Sequence, residues 1–272
     1  MQAIVSRELA GNEQRRAFED DLARALAAAG VPVLLVPGLY HVPEDDALWA
    51  DLAGQRGVLL SWLNPRPAEW ILRRHNITRE TVRPIGLGEF ESPGECCAAV
   101  LRVIQPSSAP ASAKDRAAGD PQPRWYPVID AGRCVNCKQC MQFCLFGVYE
   151  LNEDGVVFAR HPDNCKDGCP ACSRICPRGA IMFPLHEDPA IAGAPGMLMN
   201  PDPALKTIFY KRTGRACPLC GQKYDSKAKP QAGSRLCTEC GMPMGELAGD
   251  ARDGADDGDD LDSLIDDLER LR

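Results

Sequence analysis

Eight of the fourteen cysteines fall between Cys134 and Cys176, in two four-membered runs. The first reads Cys134-x2-Cys137-x2-Cys140-x3-Cys144, and the second Cys165-x3-Cys169-x2-Cys172-x3-Cys176-Pro177. A centre held by four thiolates needs ligands from four directions. Three cysteines a few residues apart on one wrapping loop supply three of them, so the fourth has to come from elsewhere. The surroundings repeat as well: apolar stretches at 125–130 and 156–159 precede the runs, Gly147 and Gly179 sit three residues after their last cysteines, and short apolar stretches at 148–149 and 180–183 follow. Each half therefore reads as strand, ligand loop, short helix, strand, an internal duplication. Zinc usually takes separated cysteine pairs, and a disulfide framework needs an oxidising compartment, so neither explains these runs.

On these residues the stretch 125–185 resembles a bacterial-type ferredoxin domain with two [4Fe–4S] clusters. The resemblance implies crossed ligation, in which the last cysteine of each run serves the other cluster. Cluster I would take Cys134, Cys137, Cys140 and Cys176, and cluster II Cys165, Cys169, Cys172 and Cys144. There are two departures. Lys166-Asp167-Gly168 lengthens the opening of the second run, with Gly168 expected to turn the longer loop, and Leu145 stands where the pattern has proline. One cluster beside a degenerate or [3Fe–4S] site is the alternative. Val135, Phe143, Phe146 and Ile175 are placed to exclude water. Arg133, Lys138, Lys166, Arg174 and Arg178 give the segment positive charge. No acid–base or nucleophile constellation accompanies the cysteines, which favours electron transfer over catalysis.

A second cysteine group lies further on, in Cys217-Pro-Leu-Cys220-Gly221 and Cys237-Thr-Glu-Cys240-Gly241. Two such knuckles resemble a zinc ribbon or a rubredoxin-like site, expected over 216–245. One zinc ion is the expected metal, with iron possible in the same tetrahedral sulfur geometry. Lys223, Lys227, Lys229 and Arg235 lie between the knuckles, as a solvated loop or a nucleic-acid contact.

Residues 1–105 alternate apolar, strand-like runs (3–5, 31–36, 57–63, 82–86) with helical patterns (12–29, 43–53, 67–75, 95–104). Continuous apolar strands between helices predict a parallel sheet covered on both faces, a small flavodoxin-like or Rossmann-like α/β domain. The expected fold class for the whole chain is thus α/β plus α+β. Sites in such sheets lie at the carboxyl ends of strands, which here brings up Arg7, Tyr40, His41, Asn64 and Arg66. Neither Gly-x-Gly-x-x-Gly nor a P-loop follows the first strand. The domain is therefore read as a docking scaffold, with a substrate or flavin site as the alternative. Cys96 and Cys97 read as buried helix thiols.

Segments 106–124 and 186–215 are rich in Pro, Ala, Ser and Gly and read as a flexible tether and a loose connector, with 208–210 as a short strand. Residues 246–272 hold eleven acids and three bases, a balance of −8 that leaves the rest of the chain at +1 of a total of −7. That tail reads as disordered, ending in a short amphipathic helix with Leu261, Leu264, Ile265, Leu268 and Leu271. No broad basic face is implied, so nucleic acid is not an expected partner. No bilayer-length apolar run and no signal peptide are seen, and unexported cysteines grouped as ligands predict a reducing cytoplasm. The expected function is electron transfer between redox protein partners. The alternatives are an iron–sulfur oxidoreductase with its substrate in the α/β domain, and a regulatory or nucleic-acid-associated metal protein.

Overall fold

The structure is a computed structural model that describes residues 1–9, 11–116, 121–199, 201–217, 220–225, 227–228, 235–237, 240 and 242–244. Lys229, the two residues between the cysteines of each knuckle (218–219 and 238–239), Gly241 and the acidic tail with its leucine helix lie outside them.

The chain begins with β1 (Gln2–Ser6), α1 (Glu13–Ala28), β2 (Val33–Val36), α2 (Ala47–Ala53), β3 (Gly57–Ser61), α3 (Pro65–Arg74), β4 (Val82–Gly86), α4 (Pro93–Leu101) and β5 (Ala113–Asp115). The five strands form one parallel sheet in the order β4-β3-β1-β2-β5. The first four follow the flavodoxin-like order, but β5 joins the opposite edge, beside β2. Strand alternation sends Ala3, Val5, Val58 and Leu60 to one face and Ile4 and Leu59 to the other. The first face is closed by Leu22 and Leu26 of α1 and by Cys96, Cys97 and Val100 of α4. Burial, with the Cys97 thiol beside it, pushes the Cys96 thiol up to about 12, as suits an inert core cysteine.

The second face is covered by α2 and α3 and also by Tyr126, Val128 and Met182 from beyond the sheet. These residues belong to the next module. Its strands are β6 (Val128–Ile129), β7 (Tyr149–Leu151), β8 (Val157–Ala159) and β9 (Ile181–Met182), with α5 (Gln139–Phe143) and α6 (Ala171–Ile175) between them. β6 pairs antiparallel with β9, and β7 with β8. The two sequence halves are thus β6-loop-α5-β7 and β8-loop-α6-β9, and the outer strands close back on each other.

The stretch 106–124 is not a free tether. Ser107 N–H donates to Gly30 O, Ala111 N–H donates to Ala27 O, and 113–115 become the sheet's edge strand. Gly30 makes this possible: its φ is +83°, and a Cβ there would stand 2.4 Å from Ser107 O. The connector 186–215 is also more ordered than its composition suggests, because residues 208–210 lie within α7 (Pro203–Thr213) rather than a strand. Asp202 caps that helix by accepting the N–H groups of Ala204 and Leu205, and Pro203 opens it. Phe209 and Tyr210 then bury against Ile175 of α6 and against the second cysteine group, near which β10 (Arg235–Leu236) pairs with β11 (Pro243–Met244).

Polar contacts lock the α/β and cysteine-rich modules in register. The Tyr40 hydroxyl donates to Tyr126 O at 2.6 Å and accepts from Tyr126 N–H at 2.7 Å, and the two rings stack at 4.3 Å. Arg66 donates to Asp130 at 2.7 Å and to Gly179 O at 2.8 Å, and Asn64 donates to Ala192 O. Arg124 N–H donates to His41 Nδ1, while its guanidinium reaches Val42 O and Asp163. Tyr40→Phe should leave two buried backbone groups unpaired and lower stability by about 2 kcal/mol. Anaerobic urea denaturation checks this, and a midpoint equal to that of the unmodified chain would show that the tyrosine hydroxyl does not hold the junction.

Candidate iron–sulfur and metal centres

The first ligand loop starts from Asp130, whose N–H donates to Ala180 O just before β9. Its carbonyl accepts from Cys134 N–H, and its carboxylate accepts from Arg66 and from Arg133 N–H. Midway, Asn136 and Lys138 adopt left-handed conformations with φ of 52° and 63°. Asn136 suits such a position. Its side chain also clasps the β7–β8 hairpin, donating to Gly155 O at 2.8 Å and accepting from Val157 N–H at 3.0 Å. In the second loop Gly168 does turn left-handed, at φ +71°, as its place in the insertion predicts. Ser173, fully buried between two cysteines, ties α6 to β9 by donating to Ile181 O at 2.7 Å.

Cys134, Cys137, Cys140 and Cys176 line one hollow, together with Ile129, Val157 and Ile181. Cys144, Cys165, Cys169 and Cys172 line a second, wider hollow of about 540 Å³, which Ile208 and Arg212 of α7 also border. Burial, with the neighbouring Cys176 and Cys137 sulfurs adding to it, pushes the Cys140 thiol up to about 12. Burial, Cys169 and Cys144 do the same to Cys165, also to about 12. Cys172 is driven up chiefly by burial, and Cys140 and Cys172 pack in one buried cluster, so the two hollows adjoin. Thiols held from ionisation by burial, and further by one another, need a cationic centre to become thiolates together, and an iron–sulfur core is such a centre. Two other groups fit it. Ala180 N–H donates to Cys176 Sγ at 3.3 Å, and the buried Tyr149 hydroxyl, beside Cys172, has no regular hydrogen-bond partner among the described residues. A cluster in each hollow would draw on these sulfurs and these donors.

The remaining four cysteines also meet. The ligand atoms of Cys217, Cys220, Cys237 and Cys240 all lie within 4.8 Å of one another. Two of the sulfur pairs stand at 3.8 Å and 3.5 Å, a spacing that suits one tetrahedral ion with metal–sulfur bonds of about 2.3 Å. Gly221 N–H donates to Cys217 O, and Cys237 N–H donates to Met242 O, closing the turns of the two knuckles.

The candidates at the sheet's carboxyl ends divide. Arg7, Tyr40 and His41 border a cleft there, whereas Asn64 and Arg66 turn to the cysteine-rich module. Sequence reasoning missed Glu8, Arg15, Ser61 and Trp62, which complete that cleft, and His186, which reaches it from beyond β9. Glu8, Ser61 and Trp62 sit on or just after the strands already flagged, and Arg15 lies in the first turn of α1. His186 is more than a hundred residues further on, and nothing local to it announces the role.

Cysteines converging on two adjoining hollows between paired strands define an iron–sulfur protein with a ferredoxin-like domain. Comparison with known proteins agrees: residues 126–184 match the family described as 4Fe-4S dicluster domain. An uncharacterised ferredoxin of Methanocaldococcus jannaschii is 46% identical over 66 residues, 24% of this chain and 44% of that protein. Ferredoxin-3 of a Nostoc species is 34% identical over 73 residues, 21% of this chain and 74% of its own length. A pyruvate synthase subunit of M. jannaschii is 40% identical over 55 residues, 20% of this chain and 62% of its own. No solved structure matches the chain. The chain belongs to the ferredoxin family through residues 126–184, the stretch whose cysteines fit 4Fe–4S ligation. It spans less than half the length of the first of these relatives, and the likeness leaves its own α/β domain unrecognised. Among the described residues no helix is long and apolar enough to cross a membrane.

Asn136→Ala removes both clasps on the first loop and the side chain that favours its left-handed turn. It should weaken that loop by about 1–2 kcal/mol. The visible iron–sulfur absorbance should then bleach faster in air than in the unmodified chain, and equal bleaching would show that the clasp is dispensable.

Proposed function

We infer that the chain is a two-cluster electron carrier that serves oxidoreductase partners, with the flanking modules choosing and positioning those partners. The observation that carries this is the sorting of eight cysteines into two sets of four around two hollows, Cys134, Cys137, Cys140 and Cys176 in one and Cys144, Cys165, Cys169 and Cys172 in the other. Each [4Fe–4S] cluster, when bound, takes up and gives back one electron. The protein supplies burial, N–H and O–H donors to sulfur, and a fixed separation. Ile181, at the first hollow, and Val148 and Phe143, at the second, keep water from the sulfurs. Val135 and Leu145, 58% and 76% exposed, offer apolar contact beside the two hollows for a docking partner. The pyruvate synthase subunit among the relatives supports an oxidoreductase as that partner.

Cys217, Cys220, Cys237 and Cys240 are proposed to hold one structural zinc. Their site is sealed by Ile175, Phe209 and Tyr210, so the ion would brace α7 against the ferredoxin-like module. A second reading, an oxidoreductase with its own substrate, is favoured by the cleft at the sheet's carboxyl ends.

Anaerobically purified protein should hold about eight iron and eight sulfide per chain, with about one zinc. About four iron would sink the two-cluster reading. Under crossed ligation Cys144→Ala should disturb the cluster held by Cys165, Cys169 and Cys172, although Cys144 belongs to the first run. EPR of the reduced variant checks this: damage confined to the other cluster would refute the crossing.

A further inference from the structure

The cleft at the carboxyl ends of β1, β2 and β3 lies where the sheet's winding reverses, between β1 and β3, the position at which open α/β sheets take ligands. Its volume is about 230 Å³, below the ~300–1,000 Å³ usual for drug-sized ligands, so it suits a small metabolite. Its base is Ser61. That residue is 1% exposed, and its hydroxyl has no hydrogen-bond partner among the described residues. A buried, unpartnered hydroxyl at the floor of a cleft is costly unless a ligand meets it.

The free hydrogen-bonding capacity here is that of donors. His41 Nδ1 accepts from Arg124 N–H and His186 Nδ1 accepts from Asp188 N–H, which leaves the proton of each neutral ring on Nε2. Arg7 Nε is buried without a hydrogen bond, although Arg7 pairs ionically with Glu19, Asp20 and Asp115 behind the cleft. Glu8, the one carboxylate on the wall, is already taken by Arg15 and by Leu9 N–H. Glu19, fully buried behind it, accepts from Glu8 N–H and from Trp62 Nε1–H and so fixes the wall's shape. Both guanidinium groups of the wall are thus already paired with carboxylates, and what stays free to donate is the Ser61 hydroxyl, Arg7 Nε–H and the two imidazoles. A ligand that satisfies these converging donors must bring several acceptor lone pairs on a small frame, as the two oxygens of a carboxylate do.

The cleft also touches the redox module. His186 lies 6.2 Å, ring to ring, from Trp125, whose Nε1–H donates to Cys169 O at 3.3 Å. We propose that this cleft is a binding site for a small carboxylate, seated on Ser61, His41 and His186, and that its occupancy is felt at the Cys169 side of the second hollow through Trp125. The binding itself is independent of the cluster reading; the coupling rests on it.

Calorimetry on the anaerobically purified full chain tests the binding, with acetate and malonate as probes, acetamide as the neutral match and sodium chloride holding ionic strength constant. One saturable site for a carboxylate, and none for acetamide, is the expected result. Ser61→Ala and His186→Ala should each weaken it about tenfold, the size of one hydrogen bond to a charged group. No saturable heat from either carboxylate, equal binding of acetamide, or unchanged binding in both variants would overturn the site. EPR of the reduced chain with saturating malonate reads the coupling. A changed signal for the cluster next to Cys169 is expected, and an unchanged spectrum in a chain that binds malonate would overturn the coupling alone. A chain lacking iron would instead refute the carrier reading and leave the calorimetric result standing.

Discussion

A parallel sheet has two apolar faces, and each must be taken out of water. In this chain α1 and α4 close one face completely, but α2 and α3 leave part of the other open. Tyr126, Val128 and Met182 fill that gap, so the α/β core is finished by the module that carries the cysteines. Tyr40 then supplies what an apolar patch cannot: a buried hydroxyl that satisfies both backbone groups of Tyr126 and fixes the register of the junction. Because the two modules share one core, the cysteine hollows cannot drift relative to the sheet's carboxyl ends. The nearness of His186, Trp125 and Cys169 follows from this shared burial.

The same constraint explains where charge sits. Arg66, Arg74 and Arg124 all leave the α/β side or the segment leading from it to bind groups of the cysteine-rich module: Asp130, Ala159 O and Asp163. Two of these arginines end on backbone carbonyls of strands or turns next to ligand loops. An arginine bound to a carbonyl beside a thiolate loop stabilises the loop's shape without removing the negative charge the sulfurs need. Asp130 serves twice, holding Arg66 and the first turn of the loop to Cys134, so junction and ligand loop stand or fall together.

Much of this was legible in the sequence because its signals are local. The four apolar runs of the sheet, the cysteine spacing and the turn at Gly168 are each written within a few residues. What was hidden depends on distant partners. Ala113, Lys114 and Asp115 are all exposed and carry no strand pattern; they become β5 only because Gly30 lets the backbone at Ser107 come close. Residues 208–210 look like a strand when read alone, but Asp202-Pro203 and Gly214 bracket a helix, a signal that was present and outweighed by three apolar residues. Asn64 and Arg66 were rightly placed at a strand end. Their side chains serve the junction because the second module arrives there, and no local pattern foretells that arrival.

The two hollows are covered unequally, and this bears on how two chemically similar sites come to differ. The one lined by Cys144, Cys165, Cys169 and Cys172 is bordered by α7 and lies against Trp125 and the shared core. The one lined by Cys134, Cys137, Cys140 and Cys176 is bordered by its own strands and by the loop that exposes Val135. Burial, donors to sulfur and nearby charge set the potential of an iron–sulfur centre, so equal ligand sets in unequal surroundings do not have equal potentials. α7 is itself held by the third cysteine group, through Phe209, Tyr210 and the bond from Thr207 to Cys240 O. A metal bound there would therefore act on the second hollow at one remove, by fixing the helix that helps wall it from water.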